Sequence, residues 1–460
     1  MKKSKILSVA LLIVLCSCDG FVEDATTNSY PTTEKTYTPT ISPAPTITST
    51  PYPEYDTIYF WWWDGNKNIQ QLWEGTPNGQ SRILYEVASL SSPEEALNAG
   101  LVTENDLKIL TQGPAIQDAN LPPFKGKKIN ISPQSLQLSP DRQRIAWDEK
   151  ILFFCVDPYT CINGYIIRVF NIEDRKIETS ISIPIGEETI TPIWSPDSKK
   201  LAFSTKPTDT DSVNNVVHIL DIDTATMVDF EGVNDNFPFS ERFKWMPDSN
   251  GIVLGNSNGL FLITLHDQEI NHIFPVNNWW IFYIAVSPNG DFVLFTGIKD
   301  IDDPTTPDDP RDNFIPSNEF IYLFDLNTYT LKSVTNENKS GDIDSIYWMP
   351  DGQHFVYLHT ISNYQTELFL RNVQSNNIII DTILPFEVKS YYQPHLSKDG
   401  NNILFASGTY NQSTSVVTNS LIIYNINTKV WNKVLLPDEI QKAWGEEKGL
   451  DKYFLSFPTW

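Results

Sequence analysis

A chain of 460 residues with 57 acidic against 33 basic side chains has a net charge of −24, and so acidic a surface excludes nucleic acid as a natural partner. The acidity suits solubility through self-repulsion outside the cell, with attraction of cations or basic partners as the sharper alternative. Such a length ordinarily suggests two or three domains, but a repeat array can grow as one closed body, and one large folded domain is expected here.

The first eighteen residues read as a targeting segment. Lys2, Lys3 and Lys5 form its positive region, Ile6 to Leu15 its apolar core, and Leu15-Cys16-Ser17-Cys18 its processing site. That apolar run is too short for a permanent helix across a bilayer, which needs about 20 residues. The site resembles a bacterial lipobox, in which a small residue precedes the cysteine that becomes the lipidated N-terminus. The resemblance implies lipidation at Cys18, because Cys16 follows the bulky Leu15, and places the protein on a membrane surface facing outward in the cell envelope. An ordinary signal peptide is the competing reading. Residues 19–56 then turn to Thr, Pro and Ser, as in Tyr37-Thr38-Pro39-Thr40-Ile41-Ser42-Pro43. This composition cannot bury enough apolar surface to order itself, so it reads as a flexible stalk with a reach on the order of 100 Å.

The folded part, 57–460, opens with Thr57-Ile58-Tyr59-Phe60-Trp61-Trp62-Trp63, a strand at Ile69 to Trp73, the turn Thr76-Pro77-Asn78-Gly79 and a strand at Arg82 to Tyr85. These are three strands of a four-stranded unit without its first. Residues 89–130 form an insertion whose Ser92-Pro93-Glu94-Glu95-Ala96-Leu97 begins like a capped helix, and a second helical piece is expected at Pro437 to Trp444.

From Leu138 the chain repeats itself. Leu138-Ser139-Pro140-Asp141, Trp194-Ser195-Pro196-Asp197, Trp245-Met246-Pro247-Asp248, Val286-Ser287-Pro288-Asn289, Trp348-Met349-Pro350-Asp351 and Leu396-Ser397-Lys398-Asp399 each precede an apolar run such as Phe292-Val293-Leu294-Phe295. An apolar residue closes one strand, Pro presets the corner, Asp, Asn or Gly tolerates its second half, and β-branched or aromatic residues open the next strand. Successive copies lie 56, 51, 41, 62 and 48 residues apart, a spacing that suits propeller blades of about 40–50 residues with variable loops. A second polar turn recurs in phase, at Asp221-Ile222-Asp223-Thr224, Asp325-Leu326-Asn327-Thr328 and Asn425-Ile426-Asn427-Thr428. The missing strand is supplied by the other terminus, since Leu455-Ser456-Phe457-Pro458-Thr459-Trp460 matches Ile190-Thr191-Pro192-Ile193-Trp194. The expectation is an all-β, seven-bladed propeller closed by pairing of N- and C-terminal strands, with six blades as the alternative if the Trp-rich segment is not a blade.

These repeats resemble the TolB-like, WD-repeat-like propellers, whose blades carry Pro-x-Trp-Ser-Pro-Asp-Gly before an apolar strand. The resemblance spans about Thr57 to Trp460, with Lys398 in place of Pro and Arg142 in place of Gly as departures. It implies the fold; propellers of this kind serve as binding platforms, as periplasmic transport-complex subunits and as non-catalytic halves of peptidases.

Few motifs offer chemistry. Gly255-Asn256-Ser257-Asn258-Gly259 matches the Gly-x-Ser-x-Gly of serine hydrolases, but a strand follows it where the hydrolase motif needs a helix, so a hairpin turn explains it. Asp300, Asp302, Asp303, Asp308, Asp309 and Asp312 crowd one Pro-rich loop whose oxygens would suit Ca²⁺, against the plainer reading of a solvated acidic loop; no other cofactor is indicated. Cys155 and Cys161, close together in a short Pro-containing segment of an exported chain, read as a disulfide. Trp61, Trp62 and Trp63, with Trp279 and Trp280, invite a sugar-stacking reading, but strand alternation sends neighbours to opposite faces and packing between blades is expected; Trp194, Trp245 and Trp348 are expected to be structural. The functional expectation is a monomeric, non-enzymatic module binding an envelope protein or glycan through one mouth of the ring. The alternative is a propeller hydrolase or lyase with polar residues converging on the channel.

Overall fold

The computed structural model describes residues 57–64, 69–88, 97, 104, 130–133, 135–155, 161–183, 187–207, 215–231, 243–256, 258–275, 279–299, 320–335, 342–362, 365–386, 388, 394–411, 416–436, 440 and 453–459. Blade 1 comprises β1 (Ile58–Asp64), β2 (Ile69–Gly75) and β3 (Ser81–Ala88), and blade 2 comprises β4 (Asn130–Pro133), β5 (Gln137–Leu138), β6 (Arg144–Cys155), β7 (Cys161–Asn171) and β8 (Lys176–Ile183). Blade 3 runs through β9 (Glu187–Trp194), β10 (Lys200–Pro207), β11 (Val216–Asp221) and β12 (Thr226–Phe230), and blade 4 through β13 (Phe243–Trp245), β14 (Gly251–Asn256), β15 (Gly259–Thr264) and β16 (Glu269–Pro275). Blade 5 is β17 (Trp279–Val286), β18 (Phe292–Lys299), β19 (Phe320–Asp325) and β20 (Thr330–Ser333), and blade 6 is β21 (Asp342–Trp348), β22 (His354–Ser362), β23 (Gln365–Asn372) and β24 (Ile378–Ile383). Blade 7 is β25 (His395–Leu396), β26 (Asn402–Asn411), β27 (Val416–Asn425) and β28 (Trp431–Lys433), after which β29 (Tyr453–Thr459) returns to blade 1.

The order β29-β1-β2-β3 makes the first sheet from both ends of the folded chain, with Tyr59 opposite Thr459 and Trp63 opposite Phe454. The chain is an all-β, seven-bladed propeller, as the repeats imply. Blade 2 has five strands because its innermost segment is interrupted, β4 and β5 both pairing with β6. Both helical expectations fall largely outside the described residues; Leu97, Glu104 and Ile440 are helical.

The core is a set of wedges between neighbouring blades. Strand alternation explains this, because successive side chains leave opposite faces of the sheet and both faces are covered. Ile252 and Leu254 of β14 pack toward blade 3 against Ala202 and Val217, while Val253 between them packs toward blade 5 against Ile281 and Val293. The Trp cluster obeys the same rule. Trp61 turns toward Trp147 and Phe170 of blade 2, and Trp62 toward Leu404 and Leu421 of blade 7, both almost fully buried. Trp279 packs edge-on to Phe274 and against Tyr322, so these indoles serve blade packing as expected.

Each Ser-Pro-Asp corner is a small hydrogen-bonded unit. Ser195 Oγ donates to Asp197 Oδ1 at 2.6 Å and accepts from Lys200 N at 2.8 Å, and Asp197 Oδ1 also accepts from Lys199 N at 3.1 Å. Ser139 with Asp141 and Ser397 with Asp399 repeat the arrangement. Burial works against ionisation of Asp197, but these donors and Lys200 outweigh it and hold the carboxyl below the usual range. The corners also link across blades, Asp141 N donating to Ser198 Oγ at 2.9 Å and Asp197 N to Ser249 Oγ at 3.0 Å.

The last corner residue is left-handed in six blades, at Arg142, Ser198, Ser249, Gly290, Gly352 and Gly400. Three non-glycine residues hold this conformation, so φ alone does not demand glycine. Space does so at Gly400, where an added Cβ would lie 2.6 Å from Pro350 Cδ, whereas at Gly352 the nearest atom would be Pro288 Cδ at 3.8 Å. Gly352→Ala is therefore expected to cost only the left-handed penalty of about 1 kcal/mol. Gly400→Ala should cost a further ~1–3 kcal/mol of overpacking, read as the difference between their urea midpoints.

Blade 2 also buries charge. Glu149 (1% exposed) accepts from Arg168 Nε at 3.0 Å and from Trp147 Nε1 at 2.9 Å, and Arg168 (3% exposed) donates in turn to Ser180 Oγ at 2.7 Å. Beside them Asp148 is hydrogen-bonded to Ser135, and burial is the main cause that pushes its carboxyl up to about 6.

Candidate functional site

The innermost strands of blades 2 to 7 converge on an axial cavity of about 520 Å³, within the range of small-ligand sites. Its wall carries the closing residues of the repeated motif. Trp245 Nε1 donates to the Ile193 carbonyl of the preceding blade at 3.1 Å, as Trp194 does to Gln137 O at 3.1 Å and Trp348 to Ala285 O at 2.9 Å. The indoles thus tie each inner strand to the inner-strand carbonyl of the preceding blade, and also line the cavity. The structural role expected of them holds, and the wall is a second one.

Inner strands are bent where they meet the cavity. The β17 register slips between Ile281 and Ile284, and that of β21 between Ile343 and Ser345. Such bulges kink a strand and re-aim its side chains. Tyr283 and Ser345, at or beside the slips, both line the cavity. Ser345 is 3% exposed and its Oγ is buried without a hydrogen-bond partner, a condition that costs free energy until something fills it.

The charged and titratable groups in this wall are Lys244 of β13, His395 of β25, Tyr283 and Tyr347; no carboxylate lines it among the described residues. Tyr347 Oη donates to the Pro394 carbonyl. His395 is partly buried and keeps some surface open to the cavity. Burial first, and the Lys244 charge second, push its imidazole down to about 4. At neutral pH it is an uncharged donor and acceptor and a poor general base.

This sets a pH dependence. The folded pKa lies below the ordinary 6.5, so as pH falls from about 6.5 toward 4 the unfolded chain takes up a proton that the folded chain refuses, and stability drops. Asp148, raised to about 6, works oppositely, favouring folding as it protonates below that pH. His395→Gln should therefore exceed the wild type by about 2 kcal/mol at pH 4.5 and match it closely at pH 7.5 in urea unfolding.

Other sequence-predicted residues stand apart from this channel. The acidic loop with Asp300, Asp302, Asp303, Asp308, Asp309 and Asp312 lies outside the described residues, as does Cys18. Cys155 and Cys161 face each other in the backbone register at the tip of the β6–β7 hairpin. Gly255 to Gly259 joins β14 to β15 as a hairpin, as expected. Among the described residues, no group of three or more His, Cys, Asp or Glu is placed to hold a metal ion, and no helix is long and apolar enough to cross a membrane. Lys244, Ser345 and His395 escaped sequence reasoning; their signal was position, one to three residues before a repeated corner.

No protein-family model matches the sequence, and no curated protein is similar to it. Solved structures match at low identity. TolB from Acinetobacter baumannii aligns over 85% of this chain and 79% of its own at 14% identity, with a TM-score of 0.40. Kuenenia stuttgartiensis hydrazine synthase aligns over 68% and 80% at 12% identity and 0.42, and an oligogalacturonate lyase in complex with manganese over 60% and 82% at 15% identity and 0.35. The pairing of β29 with β1 and the six repeated corners make this chain a seven-bladed β-propeller.

Proposed function

We propose that the protein is a non-enzymatic binding module of the cell envelope, held to a membrane by lipid at Cys18 and carried on the 19–56 stalk, that engages an envelope protein or glycan through the channel mouth. The observation that carries this reading is the cavity wall. Indole and tyrosine rings with a few hydrogen-bonding groups make a surface suited to holding a ligand, and the one imidazole is tuned away from proton transfer at neutral pH. The leader with Cys18 and the Thr/Pro composition after it support the anchor and the spacer. A Cys155–Cys161 bond would fix the tip of the longest hairpin of blade 2, and the acidic surface favours a monomer.

The test is capture from envelope extracts with the full chain, wild type against Gln137→Trp. Gln137 is half-exposed in the cavity wall and the hydrogen bond from Trp194 uses only its backbone carbonyl, so a bulky side chain there fills ligand space while leaving that bond in place. The reading predicts a partner retained by the wild type and lost by the variant at unchanged melting temperature. Equal retention by both would remove the channel mouth from the function.

A further inference from the structure

The described wall of the axial cavity comes from blades 2 to 7, and the chain enters its folded part at the remaining side. In each of those six blades a tight corner joins the innermost strand to the second, and Pro140 and Pro288 of two such corners line the cavity, so the corners stand at its rim. In blade 1 the same two strands, β29 and β1, come from opposite ends of the folded chain, with Thr459 facing Tyr59. The place of a corner is taken there by the approach to Thr57, whose carbonyl accepts from Arg142 Nη2 of the blade 2 corner at 3.2 Å. The residues just before it, Thr50-Pro51-Tyr52-Pro53-Glu54-Tyr55-Asp56, lie outside the described residues. At ~3.1 Å per residue for a proline-rich chain, Pro51 to Pro53 can stand about 12 to 19 Å from Thr57. That reach exceeds the width of a cavity of about 520 Å³.

Resting on the reading of the cavity as a binding site, we propose that Pro51-Tyr52-Pro53 of the same chain folds back into it and competes there with the external partner. Aromatic-lined grooves take proline-rich segments because the polyproline conformation is already formed and little entropy is lost on docking. The rings of Trp194, Trp245, Trp348, Tyr283 and Tyr347 make such a lining. The three indoles direct their N–H groups to backbone carbonyls, so what they offer a ligand is ring surface, and this suits proline rings, which bring no N–H of their own. Tyr52 adds a large aromatic face between the two prolines. Glu54 and Asp56 remain near the rim, where the Arg142 guanidinium stands beside Thr57. Weak contacts suffice, because a short tether holds the segment at an effective concentration on the order of millimolar.

The test places the photo-crosslinker p-benzoylphenylalanine at position 52 of the full chain, in place of Tyr52, and maps its adducts by mass spectrometry. Adducts should join position 52 to wall segments containing Trp194, Trp245, Tyr283 or Trp348 and should run as monomer in denaturing electrophoresis. Pro51→Gly with Pro53→Gly, which removes the preformed conformation, should lower their yield about threefold or more. A second measurement titrates the free peptide 50–56, acetylated and amidated, by tryptophan fluorescence. A full-length chain whose residues 50–56 are replaced by Gly and Ser should bind that peptide about tenfold or more tightly than the wild type does, because its cavity is vacant. Adducts absent from the wall, adducts between two chains, or equal peptide affinity of the two proteins would overturn the proposal. That failure is separate from failure of the binding-module reading, because a partner held by the wild type and lost by Gln137→Trp stands whether or not residues 51–53 occupy the cavity.

Discussion

Deleting residues 453–460 is expected to abolish cooperative folding. β29 is the innermost strand of blade 1 and pairs with β1 from Tyr59 to Asp64. Without it, β1 presents an unpaired edge to the axis and the ring has an open sector. Edges of this kind template association with other chains, so the truncated protein should lack a sharp thermal transition and elute as aggregate in size-exclusion chromatography. A synthetic peptide of sequence 449–460, supplied during refolding, should restore part of the transition by adding the missing strand in trans. A truncated chain that melts as sharply as the full one would show that closure of the ring does not depend on this ladder.

Breaking the buried pair in blade 2 should rank second. Arg168→Met leaves the Glu149 carboxylate enclosed, with the Trp147 indole as its remaining described donor. Removing one member of a buried pair typically costs about 3–5 kcal/mol, while replacing both members is often close to neutral. Arg168→Met should therefore lower the urea midpoint sharply, and Arg168→Met with Glu149→Gln should recover most of the loss, since Gln still accepts from Trp147. A double variant no more stable than the single one would show that Arg168 contributes by packing rather than by charge.

The architecture was legible because each blade repeats one local solution. The Ser-Pro-Asp corners and the in-phase polar turns mark both ends of the strands, and the match of 455–460 to 190–194 places the closing strand. Trp61 and Trp62 could be assigned to opposite wedges by alternation alone. The channel chemistry was not legible to the same degree. Lys244, Ser345 and His395 come from blades 4, 6 and 7, and no short spacing brings them together. The bulges in β17 and β21 then shift which side chains face the axis, and a slip in register leaves no mark in composition or periodicity. Ser198 and Ser249 each accept a hydrogen bond from the preceding blade's corner, a link between blades that the corner motif itself does not display.

The position of β1 has a mechanical consequence. It enters the sheet at Ile58 with β29 on one side and β2 on the other, antiparallel to both. A pull along its axis at that end loads two ladders in shear at once, so their hydrogen bonds must fail together rather than one by one as in peeling. An outermost strand such as β3, held on one side, would unzip under far less force. The point where the chain enters its sheets is thus built to bear tension.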